Sequence, residues 1–134
     1  KTLFDEYKIS LEGKKVLLVG HGMLVGRPIL AWLLGKHIDV VPIDSRIGDV
    51  TPYTKDADVI ISGAGVPKLI MGDMVKDGVI VIDVGTSESQ GKLVGDVDFD
   101  TVSKKASFIT PVLGGVGPLT VVEIFHNLLM LAKK

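Results

Sequence analysis

The run Lys15-Val16-Leu17-Leu18-Val19-Gly20-His21-Gly22-Met23-Leu24-Val25-Gly26-Arg27-Pro28 passes from a short apolar segment through closely spaced glycines to a proline. The segment ending at Val19 is too short for a helix and reads as a buried strand. From about Val25 to Leu34 the pattern is helical. Pro28 falls in its first turn, where a missing N–H costs nothing, and Gly35 is placed as its C-cap. The same alternation continues downstream. Asp39-Val40-Val41-Pro42-Ile43 is a second strand, assigned to an edge because Pro42 cannot donate to a ladder. Asp58-Val59-Ile60-Ile61-Ser62 is a third. Val79-Ile80-Val81-Ile82-Asp83-Val84, apolar on both faces, is a central fourth. A short helix is expected over about Lys68 to Met74, a polar hairpin or loop over Thr86 to Val94, and another short helix around Phe99 to Lys104. A fifth strand at Ser107-Phe108-Ile109 then leads through a glycine-rich loop, Gly114 to Gly117, into a last helix from about Leu119 to Leu131. Strands alternating with helices predict a parallel sheet covered on both faces. The expected fold is α/β, a Rossmann-like doubly wound parallel sheet, forming a single domain over residues 1–134.

The first glycine loop also fits a ligand. A dinucleotide pyrophosphate needs a tight turn, a backbone that approaches it closely, and a helix N-terminus presenting free N–H groups. Gly20 and Gly22 suit the first two needs, and Gly26 lets the helix pack on the strand. The spacing, G-x-G-x-x-x-G, is one residue longer than the common fingerprint, and a tight turn without a ligand would use the same residues. Asp44 follows about 20 residues later, where a carboxylate takes the adenosine ribose hydroxyls and disfavours a 2′-phosphate. That favours NAD. Ser45 and Arg46 are phosphate-friendly and keep NADP open. Asp44 is equally a residue that caps turns, and Arg46 one that ordinarily sits solvated on a surface.

Composition removes several other classes of function. With 46% hydrophobic and 23% charged residues and a net charge of -1, the chain has no basic surplus for nucleic acid. No apolar run approaches the ~20 residues that span a bilayer, so no membrane association is expected and a cytoplasmic address is the default. The absence of cysteine excludes disulfides and thiolate metal ligands, and His21, His37 and His126 are too scattered for a zinc site. No metal is expected. The first residue is Lys1 rather than Met, and the expectation is a fragment of a longer chain.

Two later stretches are more distinctive. Gly91-Lys92-Leu93-Val94-Gly95-Asp96-Val97-Asp98-Phe99 and Ile109-Thr110-Pro111-Val112-Leu113-Gly114-Gly115-Val116-Gly117-Pro118-Leu119-Thr120 resemble stretches of the bifunctional methylenetetrahydrofolate dehydrogenase/cyclohydrolase family. Val25-Gly26-Arg27-Pro28, Gly65-Val66-Pro67 and Val81-Ile82-Asp83-Val84-Gly85 match further family stretches, so the similarity runs from about Tyr7 to the C-terminus. The resemblance implies oxidation of 5,10-methylenetetrahydrofolate by hydride transfer to a nicotinamide cofactor, often followed by hydrolysis of the methenyl product to 10-formyltetrahydrofolate. It implies an active-site cleft between an N-terminal lobe and the dinucleotide domain. Gly20, His21 and Gly22 would line the adenosine and pyrophosphate end, Ser45 would lie at or near the 2′-phosphate, and Gly65 and Thr86 would flank the ribose and nicotinamide. Pro111, Gly114, Gly115, Val116, Gly117, Pro118, Leu119 and Thr120 would form the wall facing nicotinamide and folate. Glycine N–H groups suit that wall, because backbone can approach flat rings without side-chain bulk.

The chain also departs from the family. Gly20-His21-Gly22 stands where Gly-Arg-Ser is usual, and Asp44 where histidine is usual; both changes favour NAD, while His21 and Arg46 leave NADP open. Leu113 replaces a usual proline, and Thr86-Ser87 a usual Ile-Asn. The family's catalytic pair, spaced Tyr-x-x-x-Lys, has no counterpart, since Tyr7 is followed at that spacing by Leu11 and Tyr53 by Ala57. No catalytic residue is therefore assigned: Asp83 reads as a structural carboxylate at a strand end and His37 as a surface residue. Two readings stand. One is the NAD(P) domain of a folate dehydrogenase/cyclohydrolase, its catalytic lobe outside this chain, binding dinucleotide without turnover on its own and meeting tetrahydrofolate substrate in the full enzyme. The other is a free-standing dinucleotide-binding or sensor module. In the family, homodimers form largely through this domain. Here Val121, Val122, Ile124, Phe125, Leu128, Leu129 and Leu131 cover more than one core-facing stripe of ~100°. The expectation is an exposed apolar patch and a two-fold homodimer, against the alternative of a helix wholly buried on the sheet.

Overall fold

The computed structural model describes residues 1–133, and Ser45 by its backbone alone. Val16–Val19 forms β1, every residue buried, and runs straight into the glycine turn. Helix α2, Gly26–Gly35, returns the chain to β2, Val40–Ile43. Helix α3, Thr51–Asp56, leads to β3, Val59–Ser62, and a 3-10 turn at Gly72–Met74 precedes β4, Ile80–Asp83. Strands β5, Ser87–Ser89, and β6, Lys92–Val94, form the expected hairpin, turned by Gln90 at φ 52° and Gly91 at φ 74°. Helix α4, Phe99–Val102, strand β7, Phe108–Ile109, and helix α5, Val116–Ala132, complete the chain, after α1, Thr2–Glu6, at its beginning.

The main sheet has the order β2-β1-β3-β4-β7, parallel throughout. Strand β2, with Pro42, lies at one edge as its sequence requires, and β4 is paired on both sides. Alternate residues of each strand feed two separate cores. Leu17, Val19, Ile60 and Val81 pack with Val50, Ile70 and Val102 on one face. Val16, Leu18, Val59 and Ile61 pack with Phe4, Leu11 and Leu33 on the other. Helices thus cover both faces, which makes the domain a doubly wound α/β fold. Each fully buried Leu, Ile or Val contributes about 1.5–3 kcal/mol of hydrophobic stabilisation.

Several local expectations are corrected. Gly35 is not the C-cap of α2: it stays within the last helical turn. His37, at φ 56°, takes the left-handed position instead. The His37 N–H donates to Leu34 O and the Ile38 N–H to Leu33 O, so the carbonyls of the last turn are satisfied by a Schellman arrangement. No α-helix spans Lys68–Met74. Lys68 turns the chain at φ 53°, Ile70 bridges in parallel to Val97, and only Gly72–Met74 is helical. Helix α3 has no counterpart in the sequence reading. Helix α5 begins at Val116, so Gly117 and Pro118 belong to its first turn, and it buries no residue completely. Its start packs against the core through Val116, and Thr2 on α1 hydrogen-bonds Glu123.

Candidate functional site

In a sheet ordered β2-β1-β3-β4, the connections after β1 and β3 leave in opposite directions, and the ends of these two strands open a crevice at that switch point. Gly20 sits there at φ 81°, its N–H donating to Ile43 O at 2.8 Å. A Cβ on Gly20 would stand 2.7 Å from Ala64 Cα, so glycine is required both by the backbone and by the close approach of the Gly63–Ala64 segment. A Cβ on Gly26 would overlap the Gly20 carbonyl oxygen and the His21 Cα, which places α2 directly on the turn. Gly22, by contrast, faces open space. These residues, with Arg27, Asp44, Arg46, Gly63 and Ala64, line a concavity of about 330 Å³. Arg27, in the first turn of α2, is part of this lining, so the helix starts at the edge of the concavity.

At the end of β2 the Asp44 carboxylate is already engaged. Its Oδ1 accepts the Arg46 backbone N–H at 2.9 Å and the Arg46 Nε–H at 2.9 Å, and Oδ2 accepts from the Arg46 guanidinium at 2.7 Å. The Arg46 hydrogen bonds hold the carboxyl well below the usual carboxylate range. Asp44 therefore caps the 3-10 turn at Ser45–Ile47 and also lines the concavity. At the ends of β3 and β4, Gly65 has φ 69° and its carbonyl accepts the Ser87 hydroxyl at 3.1 Å, with Thr86 exposed beside it. The Asp83 carboxyl beneath is pushed up by burial, and Asp96 adds to the shift. Further along the same edge, Pro111, Gly114, Gly115, Pro118 and Leu119 line a cavity of about 450 Å³ with Thr2 and Glu6 of α1 and Tyr7 just after it. Gly114 has φ 78° and a Cβ on Gly115 would overlap the Pro111 carbonyl oxygen, so this loop folds tightly back on itself. Among the described residues no three His, Asp or Glu side chains gather as metal ligands, and no helix is long and apolar enough to cross a membrane.

The model of the tetrahydrofolate dehydrogenase/cyclohydrolase NAD(P)-binding domain matches residues 1–134. The chain belongs to this family. A bifunctional FolD protein of Hydrogenobaculum is 51% identical over 134 residues, covering 100% of this chain and 48% of its own length. The crystal structure of the FolD dehydrogenase/cyclohydrolase of Campylobacter jejuni superposes with a TM-score of 0.89 at 47% identity, over 94% of this chain and 45% of that one. A Trypanosoma brucei FolD, determined with NADP and an inhibitor, gives a TM-score of 0.82 at 38% identity, over 90% of this chain and 43% of that one. The chain thus spans about half the length of the relatives it matches.

As a tetrahydrofolate dehydrogenase/cyclohydrolase NAD(P)-binding domain, the chain brings Gly20, His21, Gly22, Asp44 and Arg46 to one concavity. Gly65 and Thr86 lie on the neighbouring strand ends, outside that lining. The loop from Pro111 divides: Pro111, Gly114, Gly115, Pro118 and Leu119 line one cavity, while Val116, Leu119 and Thr120 line a cleft between α1, α2 and α5. Gly117 lines neither. Ser45, expected near a 2′-phosphate, has a side chain outside the described residues. Sequence reading missed Arg27, Gly63 and Ala64. The Ser62-Gly63-Ala64-Gly65 string after the third strand was the available signal for the last two. For Arg27 there was only its place in the first turn after the glycines.

Proposed function

We propose that this chain supplies the cofactor half of an enzyme that transfers hydride from 5,10-methylenetetrahydrofolate to NAD, with NADP as the weaker alternative. The observation that carries the reading is the glycine turn at the switch point, closed behind by Gly63–Ala64, open in front at Gly22, and flanked by Asp44. NAD is favoured because its ribose hydroxyls can donate to Asp44. A 2′-phosphate would instead meet a carboxylate and a guanidinium already joined to each other. NADP use would require Arg46 to leave Asp44 for the phosphate; the NADP bound to the Trypanosoma brucei relative makes that the natural competing outcome. Tetrahydrofolate substrate, cyclohydrolase activity in the full enzyme, a homodimer, a cytoplasmic setting and the absence of nucleic-acid or membrane partners belong to the same proposal. The catalytic lysine and tyrosine lie outside this chain in that account, so the chain alone binds dinucleotide without turnover.

Titration calorimetry of the 134-residue chain with each cofactor tests it. NAD is expected to bind about tenfold tighter than NADP, some 1.4 kcal/mol, a modest value because Arg46 already neutralises part of the Asp44 charge. Replacing Asp44→Ser together with His21→Arg should reverse the order. Tighter NADP in the unaltered chain would overturn the preference, and binding of neither cofactor would overturn the function.

A further inference from the structure

Two buried carboxylates at the C-terminal edge of the sheet take no part in the contacts proposed above, and each is wrapped by backbone. Asp83, at the end of β4, accepts the Gly85 N–H at 2.9 Å and the Val97 N–H at 3.0 Å. Asp96, just after the hairpin and 0% exposed, accepts the Ser62 hydroxyl at 2.8 Å, the Ala64 N–H at 2.6 Å and the Val66 N–H at 2.9 Å. The adjoining glycines make room for this crossing: a Cβ on Gly85 would overlap the Asp96 carboxylate, and one on Gly95 the Asp83 carboxylate. The Asp83 N–H in turn donates to Thr110 Oγ1 at 2.9 Å, which ties in the end of β7. Three segments of the rim therefore hang on the two carboxylates, and a fourth on the Asp83 backbone.

A buried carboxylate is costly unless its oxygens are fully hydrogen-bonded, so this network has one arrangement that satisfies it. Its most exposed dependant is the loop from Ser62 to Val66. Both Ala64 and Val66 give their N–H groups to Asp96, and Gly65 between them carries the positive φ that turns the chain. The adenosine end of the site shares Gly63 and Ala64 with this loop but has anchors of its own. Gly20 is fixed by its bond to Ile43 O, and the α2 start by the Arg27 N–H to Gly22 O, neither of which involves Asp96.

We infer that Asp96 is a positioning residue: it acts through the Ser62–Val66 loop to place the backbone on which the nicotinamide half of the dinucleotide rests. This rests on the dinucleotide-binding reading above. Asp83 serves Asp96 in turn by holding the Gly95–Val97 backbone from which it projects.

Asp96→Asn preserves the size of the side chain but turns one acceptor into a donor facing an N–H. Calorimetry with NAD and with AMP, which lacks the nicotinamide half, separates positioning from general damage. Amide exchange at Ala64 and Val66, followed in the same samples, reports the loop directly. The expected result is exchange at those two amides faster by about tenfold or more, and NAD affinity lower by about tenfold, the effect of losing a charge-assisted hydrogen bond. AMP affinity should fall by less than about threefold, because only Gly63 and Ala64 of this loop reach the concavity it fills, whose other lining residues follow β1 and β2. Equal losses for AMP and NAD would overturn the inference, as would unchanged NAD affinity. If the Asn variant shows no cooperative melt, Ser62→Ala removes one of the three bonds and should show the same split at about threefold; no split would again overturn it. Failure of the unaltered chain to bind either ligand would instead sink the dinucleotide reading itself, and is visible before any variant is made.

Discussion

A methyl group added at Gly26 would overlap the Gly20 carbonyl oxygen and the His21 Cα, whereas one added at Gly22 would meet nothing within 4 Å. The two glycines therefore do different jobs, and alanine at each should fail differently. Gly26→Ala is expected to destabilise the domain by about 1–3 kcal/mol, the usual cost of overpacking, and to lower its melting temperature. Gly22→Ala should leave the melting temperature nearly unchanged and weaken dinucleotide binding by about tenfold, because its methyl occupies the side from which a pyrophosphate approaches. Melting and calorimetry on the same preparations check both; full binding by Gly22→Ala would remove the phosphate from this turn. The division of labour was legible in the sequence, since spacing alone decides which glycine turns the chain and which lies in the helix. The pairing of Asp44 with Arg46 was not. It depends on the 3-10 turn at Ser45–Ile47 folding the guanidinium back, a conformation no residue type announces.

At the scale of elements, the end of α2 shows how a plausible signal misleads. Gly35 suggested a C-cap, yet the helix runs one residue further and His37 is left in the left-handed region, where a Cβ is unfavourable. Packing decides this: Leu33 and Ile38 both reach the second core, which fixes where the helix must stop. His37→Gly should therefore stabilise the domain by about 1 kcal/mol, raising its melting temperature by a few degrees. A lower melting temperature would mean the imidazole makes contacts that outweigh the strain. The strands were the most legible elements because each is a short, nearly unbroken apolar run, as burial on both faces demands. Helix α3 was missed because six residues give no measurable periodicity; its signals were Pro52 in the first turn and Asp49, whose carboxylate accepts the Thr51 N–H at 2.9 Å. The stretch from Lys68 to Met74 failed for the opposite reason. Its apolar residues serve a bridge between Ile70 and Val97, and tertiary pairing overrode the helical pattern.

For the molecule as a whole, the sheet satisfies both faces near its centre but leaves α5 without a complete partner. Phe125 is 67% exposed and Leu128 62%, with Val121, Val122, Ile124 and Leu131 similarly open. The sequence expectation of an exposed apolar patch on this helix is met, and the alternative of full burial on the sheet is not. Such a surface should drive self-association through a two-fold contact. Sedimentation equilibrium is expected to show a dimer whose population rises with concentration. Phe125→Glu with Leu128→Glu should abolish it at little cost to the melting temperature, as neither side chain is part of the core. A monomer at every concentration, with no binding of an apolar dye, would contradict this. The fold itself followed from strand and helix alternation; the division of the rim into separate cavities did not, because it depends on how far each loop rises above its strand. The central claim is that the dinucleotide lies along this rim, and titration of NAD into the isotope-labelled chain followed by amide NMR tests it most directly. Saturable shifts are predicted at Gly20, Gly22, Arg46, Gly65 and Thr86, with α3 and α4 silent. No saturable shifts, or shifts confined to the apolar cleft between α1, α2 and α5, would contradict the account.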